Sequence, residues 1–385
     1  MVRKDLDLIL VGGGLASGLI AWRLKRFREQ VKFVVLEREP AHAARETWSF
    51  HSTDLTPGQL DWMFPLISKS WAGYTVRFPD GERHLDGSRY FSIRSEEFFR
   101  KLDIDDHVRF GCDVTSVSDR GVYLRDGTFL TASCVIDARG QSGVALPTSG
   151  FQKFVGMDLE LEAPHGLRRP ILMDAKVPQE DGYRFFYVLP WSENRVLIED
   201  TRYSSYADYS VPDYQAEIRK YAQARGWKIR SELRTEHAAL PMPILPWQGE
   251  KDFTAPTIGT RGGFFHMATG YSLPFAVRVA EEVSKARDFR PDTVRSILAK
   301  ITRTHARSRD FCLMLNRMLF CAATPRERIH IFSRFYKLPE ALIQRFYAAR
   351  LLPWDYLRIL VGKPPISVRR ALHVLREKQE DVRLC

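Results

Sequence analysis

The sequence predicts an α/β (α+β) chain: a Rossmann-like nucleotide-binding unit first, an antiparallel, sheet-rich middle, and a helical C-terminal region. Three observations carry this. An apolar run meets a glycine turn that opens a helix in "LDLILVGGGLASGLIAWRLKRF", and a second apolar run, "VKFVVLER", follows at 31–38; strand, turn, helix and strand in that order make a parallel unit. Between residues 108 and 201 alternating apolar runs are punctuated by glycine turns, the pattern of antiparallel strands. From about residue 272 the spacing becomes helical and stays so.

In the first unit Leu15, Leu19, Ile20, Trp22 and Leu24 keep largely to helical spacing. Residues 47–92 mix Pro, Gly and aromatics with short alternating pieces such as "YTVRF", and "SEEFFRKL" at 95–102 reads as a helix capped by Ser95. In "VRFGCDVTSV" and "GVYLRDGTFLTASCVIDARG" three or four strands are expected, with a hairpin turning at Asp126 and Gly127. "RFFYVLPWSENRVLIED" makes a second hairpin, turning around Ser192 to Asn194. A chain of 385 residues exceeds what one core organises. The expected division is a discontinuous nucleotide-binding domain over 1–46, 85–140 and 255–290, a β-rich substrate domain over 47–84 and 141–254, and a helical region over 291–385.

The five cysteines (Cys112, Cys134, Cys312, Cys321, Cys385) are odd in number and show no C-x-x-C spacing, against a disulfide framework or a structural zinc site; no metal is expected. The N-terminal apolar run passes directly into glycines, as a first strand does and a signal peptide does not. No run reaches about 18 apolar residues, so a soluble or surface-bound protein is expected. The net charge of +11 lies wholly in residues 300–385, which hold 18 Lys+Arg against 7 Asp+Glu. With its aromatics, that segment favours an anionic membrane surface over nucleic acid, and "FCLMLNRMLFCAA" at 311–323 is expected either to face the membrane or to form a helical lid over the core.

In "GGGLASG", Gly12 and Gly14 stand where a tight turn and close backbone approach to a pyrophosphate need residues without a Cβ, with Leu15 and Ala16 opening the helix. Glu37 ends the second strand 23 residues after Gly14, beside Arg38, where a carboxylate can take ribose hydroxyls. The third glycine of the fingerprint is Ser17, with Gly18 next. Two later segments join this unit: "VIDARG", closing on Asp137 and Gly140, and "GTRGGFFHMATGYSLPFAV", with Thr269, Gly270 and Tyr271 at a turn before a helix. The trio resembles the FAD domain shared by aromatic hydroxylases and related flavoproteins, so FAD is favoured over NAD. Arg94 in "SIRSEEFF" resembles that superfamily's arginine; where the superfamily usually carries an aspartate, this chain has Gly262 and Gly263.

"TWSFH" (47–51), "GYRFFYVLP" (182–190), "LIEDT" (197–201), "HMATGYSLP" (266–274), "MLNRMLF" (314–320), "RFYKLPEALIQRFYA" (334–348) and "LRILVGKPP" (357–365) resemble the bacterial lycopene β-cyclases in order along nearly the whole chain. The resemblance implies an FAD enzyme, with the flavin reduced by NADPH or NADH, that closes β-ionone rings on linear lycopene without net redox change, through γ-carotene to β-carotene. It implies Glu199 as proton donor; Asp200, the second catalytic candidate, is expected to orient the strand or to help hold or replenish the proton. It also implies related carotenoids as substrates, other enzymes of carotenoid synthesis as partners, and a cytoplasmic protein held peripherally on the inner face of the bacterial membrane. The family commonly shows proline where Met267 stands.

Strand alternation puts Arg195, Leu197, Glu199 and Thr201 on one face and Val196, Ile198 and Asp200 on the other, so only one of the two carboxylates faces a given pocket. With Tyr187 opposite Leu197, Phe185 would lie across from Glu199, flanked by Tyr183 and Tyr187. Trp48 and Phe50 are the further substrate-wall candidates; His266, grouped with them, could be the base or a hydrogen bonder of the flavin loop, and the latter is favoured. Such a site suits acid-initiated cyclisation: the acid protonates a terminal double bond, a second double bond attacks the tertiary cation, and the ring cation sheds a proton. Ring faces attract a cation without trapping it, and water must be kept out. Two rivals use the same fold: a flavin oxidoreductase acting on a polyprenyl substrate, and a prenyl-chain carrier that does not use flavin.

Overall fold

The computed structural model describes residues 6–42, 46–140, 149–246, 253–362 and 365–376. Cys385, the end of the basic tail and two residues of "LRILVGKPP" (363 and 364) lie outside them. The elements in order are β1 (Leu8–Val11), α1 (Leu15–Phe27), β2 (Phe33–Leu36), β3 (Thr47–His51), α2 (Pro57–Met63), β4 (Lys69–Trp71), β5 (Tyr74–Phe78), β6 (Gly81–Leu85), β7 (Tyr90–Arg94) and α3 (Ser95–Leu102). Then come β8 (Val108–Arg109), β9 (Val114–Val117), β10 (Gly121–Leu124), β11 (Phe129–Thr131), β12 (Cys134–Asp137), β13 (Ser149–Leu161), β14 (Ile171–Asp174), β15 (Tyr183–Pro190) and β16 (Arg195–Ser204). α4 (Val211–Ala224), β17 (Ile229–Pro243), α5 (Leu273–Ser284), α6 (Pro291–Arg317), α7 (Arg328–Phe335), α8 (Glu340–Tyr347), α9 (Pro353–Leu360) and α10 (Val368–Arg376) complete the order.

β1 takes the middle of a parallel sheet ordered β12-β1-β2-β8. Its four residues are buried on both faces, hence the unbroken apolar run LILV. α1 packs on this sheet, and Gly18 lets it close on α3, where a Cβ would stand 2.9 Å from Leu102. Gly18 thus supplies the close packing that the fingerprint assigns to its third glycine. α3 begins one residue earlier than its expected cap implies. Arg94 is the N-cap, while the Ser95 hydroxyl accepts a hydrogen bond from the Glu46 N–H at 2.9 Å. The hairpin at Asp126 and Gly127 forms between β10 and β11.

A seven-stranded sheet, β17-β13-β16-β15-β14-β5-β6, is antiparallel apart from the β14–β5 pair. Val196, Ile198 and Phe186 on one face pack against α4. Leu197, Phe185 and Tyr203 on the other meet the C-terminal helices. β3 pairs with β7 across the expected domain boundary at 84/85, in a small sheet β3-β7-β4. The helical region begins at α5, as its spacing predicts. Phe311, Cys312, Leu313, Phe320 and Cys321 of that region are buried in the second core cluster, so "FCLMLNRMLFCAA" is interior packing and not a membrane-facing surface. No helix among the described residues is long and apolar enough to cross a membrane.

Candidate active site

Gly12 follows β1 with φ +100, and a Cβ there would lie 2.7 Å from the carbonyl oxygen of Ala138. Only glycine fits both the dihedral and the gap. Gly14 is the N-cap of α1 and no side chain caps that end, which leaves first-turn N–H groups to be met by a ligand anion. The Glu37 carboxylate accepts from the N–H groups of Gly13 at 2.6 Å and Glu39 at 2.9 Å, closing the loop on the end of β2. This is a cradle that fits a dinucleotide.

The cradle opens into one cavity of about 1060 Å³, at the upper end of what a single small-molecule site occupies. Gly12, Gly14, Leu15, Ala16, Glu37, Arg38 and Gly140 line one part of it, and Thr269, Gly270 and Tyr271 the next. Trp48, Tyr187 and Glu199 line it further on. The turn at 266–271 closes through the Gly270 N–H, which donates to the His266 carbonyl at 2.8 Å, with Gly270 at φ +72. Asn316 of "MLNRMLF" holds this turn from behind: its Nδ2 donates to the carbonyls of Met267 at 2.7 Å and Pro243 at 2.9 Å. The position that departs from the family's proline is fixed in that way.

Glu199 is half-buried and faces the cavity. Burial is the main reason its carboxyl rises to about 8; the Glu236 carboxylate adds to the rise and the Thr201 hydroxyl opposes it, donating to Oε1 at 2.5 Å. The hairpin register is two residues from the expected one: Tyr187 pairs with Glu199, Phe185 with Thr201 and Tyr183 with Tyr203. The Trp191 N–H donates to the Arg195 carbonyl, so a tight turn over 192–194 sets this pairing. A shift of two preserves the faces.

Seven of the expected site residues lie outside the cavity lining. Asp200 is 0% exposed behind the sheet. It accepts from Arg184 Nε at 2.9 Å and Nη2 at 2.8 Å, and from Arg202 at 2.9 Å. Arg94 pairs with Glu97 and lies over the Trp191 ring. Asp137 is bound by Arg139 and Arg261. Phe50 packs on Phe91 in the first core cluster. Tyr183 and Phe185 stack on each other, Tyr183 also on Phe332 of α7, so they sit beneath the helical cap. His266 is buried, donating from Nε2 to the Phe346 carbonyl at 2.9 Å and accepting from the Ala268 N–H at Nδ1. Burial lowers its imidazole to about 4, so it stays neutral and braces the turn.

Sequence reasoning missed Glu236 on β17, which is 6% exposed and lines the cavity. Burial raises its carboxyl to about 7 against the pull of Arg234. It also missed Tyr90, whose hydroxyl lies 3.1 Å from that of Tyr271 and which lines the same space. The apolar alternation of "AALPMP" gave a signal for β17; which strand β17 would join had none.

The lycopene cyclase protein family matches residues 7–373. Among curated relatives, the lycopene β-cyclase of Pseudescherichia vulneris is 40% identical over 372 residues, covering 95% of this chain and 96% of that protein. That of Pantoea ananas is 41% identical over 381 residues, covering 97% and 99%. Solved structures with the same fold include a geranylgeranyl bacteriochlorophyll reductase-like protein from Thermoplasma acidophilum, with TM-score 0.60, 12% identity, and coverage of 98% of this chain and 97% of that one. A flavin-dependent halogenase from Xanthomonas campestris has TM-score 0.59 at 12% identity, covering 99% and 95%. The fold is therefore the α/β fold of flavin-dependent enzymes, and by the match over residues 7–373 this chain belongs to the lycopene cyclase family.

Proposed function

We propose that this protein is a lycopene β-cyclase that binds FAD and closes β-ionone rings on the ends of lycopene, with no net redox change. The observation that carries the reading is the single cavity that joins the glycine cradle of α1 to Glu199. Gly12 to Ala16 would hold the pyrophosphate, Glu37 and Arg38 the ribose end, and Gly140 with Thr269 to Tyr271 the flavin end. Bound FAD, reduced by NADPH or NADH, would supply a negative charge that stabilises a carbocation. Glu199, kept protonated near neutral pH by burial, delivers its proton to the terminal double bond. The Thr201 hydroxyl holds Oε1 and so aims the acid. The rings of Trp48, Tyr90, Tyr187 and Tyr271 line the space through which the positive charge travels.

A hydrocarbon substrate dissolves in membrane, and one surface suits docking there. Trp354 and Leu357 are 64% and 65% exposed on α9, with Leu360 and Val361 beside them, and α10 adds Val368 and Leu372. Arg358, Arg369 and Arg376 stand exposed on the same two helices, the signature of an interfacial face. These two helices, and not the buried stretch 311–323, are the proposed contact with the inner face of the bacterial membrane.

Expression in a lycopene-accumulating bacterium tests the reaction. The expected pigment has the mass of lycopene and a shortened conjugated system. A product changed by two hydrogens or by one oxygen would overturn cyclisation in favour of flavin redox chemistry.

A further inference from the structure

β13 lies between β16 and β17, and Gly156 at its centre pairs with Glu199 on one side and Glu236 on the other. Directly paired residues share a face, so Glu236, Gly156, Glu199 and Tyr187 form one row across four strands on the cavity side. The two glutamates are two strand spacings apart at Cα, about 10 Å. The residue between them is glycine, so no side chain of β13 separates the two, and the space above it is shared by Glu236 and by Leu197, whose Cδ1 would lie 3.4 Å from a Cβ there. Glu236 leans into that gap: a Cβ on Gly156 would lie 3.2 Å from its Oε1. Its Oε2 is buried and accepts no hydrogen bond, although Arg234 lies 3.4 Å away.

We propose that Glu199 and Glu236 share one proton across Gly156, and that the Glu236 carboxylate takes the proton shed by the ring and returns it to Glu199. The inference rests on the cyclisation reading. One proton leaves Glu199 for the terminal alkene carbon, the ring C–C bond forms, and one proton leaves the ring carbon as the new double bond forms. Glu236 accepts that proton and passes it across the gap, so both carboxyls end as they began and no electron is lost or gained. Arg234 favours the ionised form of Glu236, whereas among the described residues no cation pairs with Glu199 and Arg195, on the same strand face, is held by Asp158, so the resting proton belongs on Glu199. The other titratable groups facing the pair are Asp158 and Glu46 near Glu236, Asp200 behind Glu199, and the phenols of Tyr90, Tyr187 and Tyr203.

Two measurements on the FAD-loaded protein test this. Infrared difference titration follows the C=O band of the protonated carboxyl. Glu236→Gln removes the neighbouring negative charge and should lower the Glu199 titration by about one pH unit or more; an unmoved titration overturns the pair. In the lycopene assay Glu236→Gln should lower turnover by about 100-fold or more, Glu236→Asp should restore part of it, and Gly156→Ala should lower turnover with bound FAD retained. Glu236→Gln or Gly156→Ala with wild-type turnover overturns the proton-return role. If the wild-type protein makes no cyclic product, the cyclisation reading fails, while the titration still decides whether the carboxyls are coupled.

Discussion

At Glu199 the demands of folding and of chemistry conflict. Its carboxyl rises from the ordinary 4.5 to about 8, by burial first and by the Glu236 carboxylate second. The folded state therefore holds a proton that the unfolded chain has released between about pH 4.5 and pH 8, so stability falls as pH rises through that window and the loss is complete above it. Glu199→Gln removes this dependence: its thermal midpoint at pH 8 should exceed the wild type's by about 2–4 °C, while turnover falls by ~100- to 10,000-fold. A variant less stable than wild type at pH 8 would show that the carboxyl is not strained there. Asp200, one residue on, obeys a different logic. It answers the buried Arg184 in a two-point ion pair, and Asp200→Asn should cost about 3 kcal/mol in denaturant unfolding, because a buried guanidinium loses its main partner.

The glycine turn between β1 and α1 does at the scale of an element what no side chain could. With φ at +100 and the Ala138 carbonyl 2.7 Å from any added Cβ, Gly12→Ala imposes strain of about 1–3 kcal/mol. Purified Gly12→Ala protein should carry markedly less FAD per chain, read from flavin absorbance; wild-type flavin content would argue against the cradle. The 266–271 turn depends on a distant helix. Asn316→Leu strands two buried carbonyls and should destabilise by about 1–3 kcal/mol.

Across the whole molecule, the nucleotide sheet and the seven-stranded sheet meet over one cavity, and the C-terminal helices cover the far strands with Phe311 to Ala323 inside. What remains exposed and apolar on this cap concentrates on α9 and α10. The double variant Trp354→Glu with Leu357→Glu should lose co-sedimentation with anionic vesicles and convert less membrane-borne lycopene, with bound flavin retained. Wild-type binding should weaken as salt rises, since each basic residue near the surface contributes about 1 kcal/mol. Undiminished sedimentation of the double variant would move the docking face elsewhere.

What depends on neighbours along the chain is legible in the amino-acid order. The apolar run, Gly12 and Gly14 specify strand, turn and uncapped helix; alternation along "RVLIEDT" places Glu199 and Asp200 on opposite faces; helical spacing marks the C-terminal region. What depends on distant strands is not legible there. The hairpin register was misjudged by two because pairing is set by the turn geometry at 192–194, and only the faces survived that slip. Tyr183, Phe185 and Phe50 bear the right chemistry for a substrate wall, yet tertiary packing takes them out of the cavity, the first two beneath the helical cap at α7 and Phe50 against Phe91. Glu236 lies 37 residues beyond Glu199 with no local mark; it joins the site because β13 inserts between their strands and carries glycine in the shared row. Local periodicity decides which face a residue takes, while long-range strand order decides what it faces.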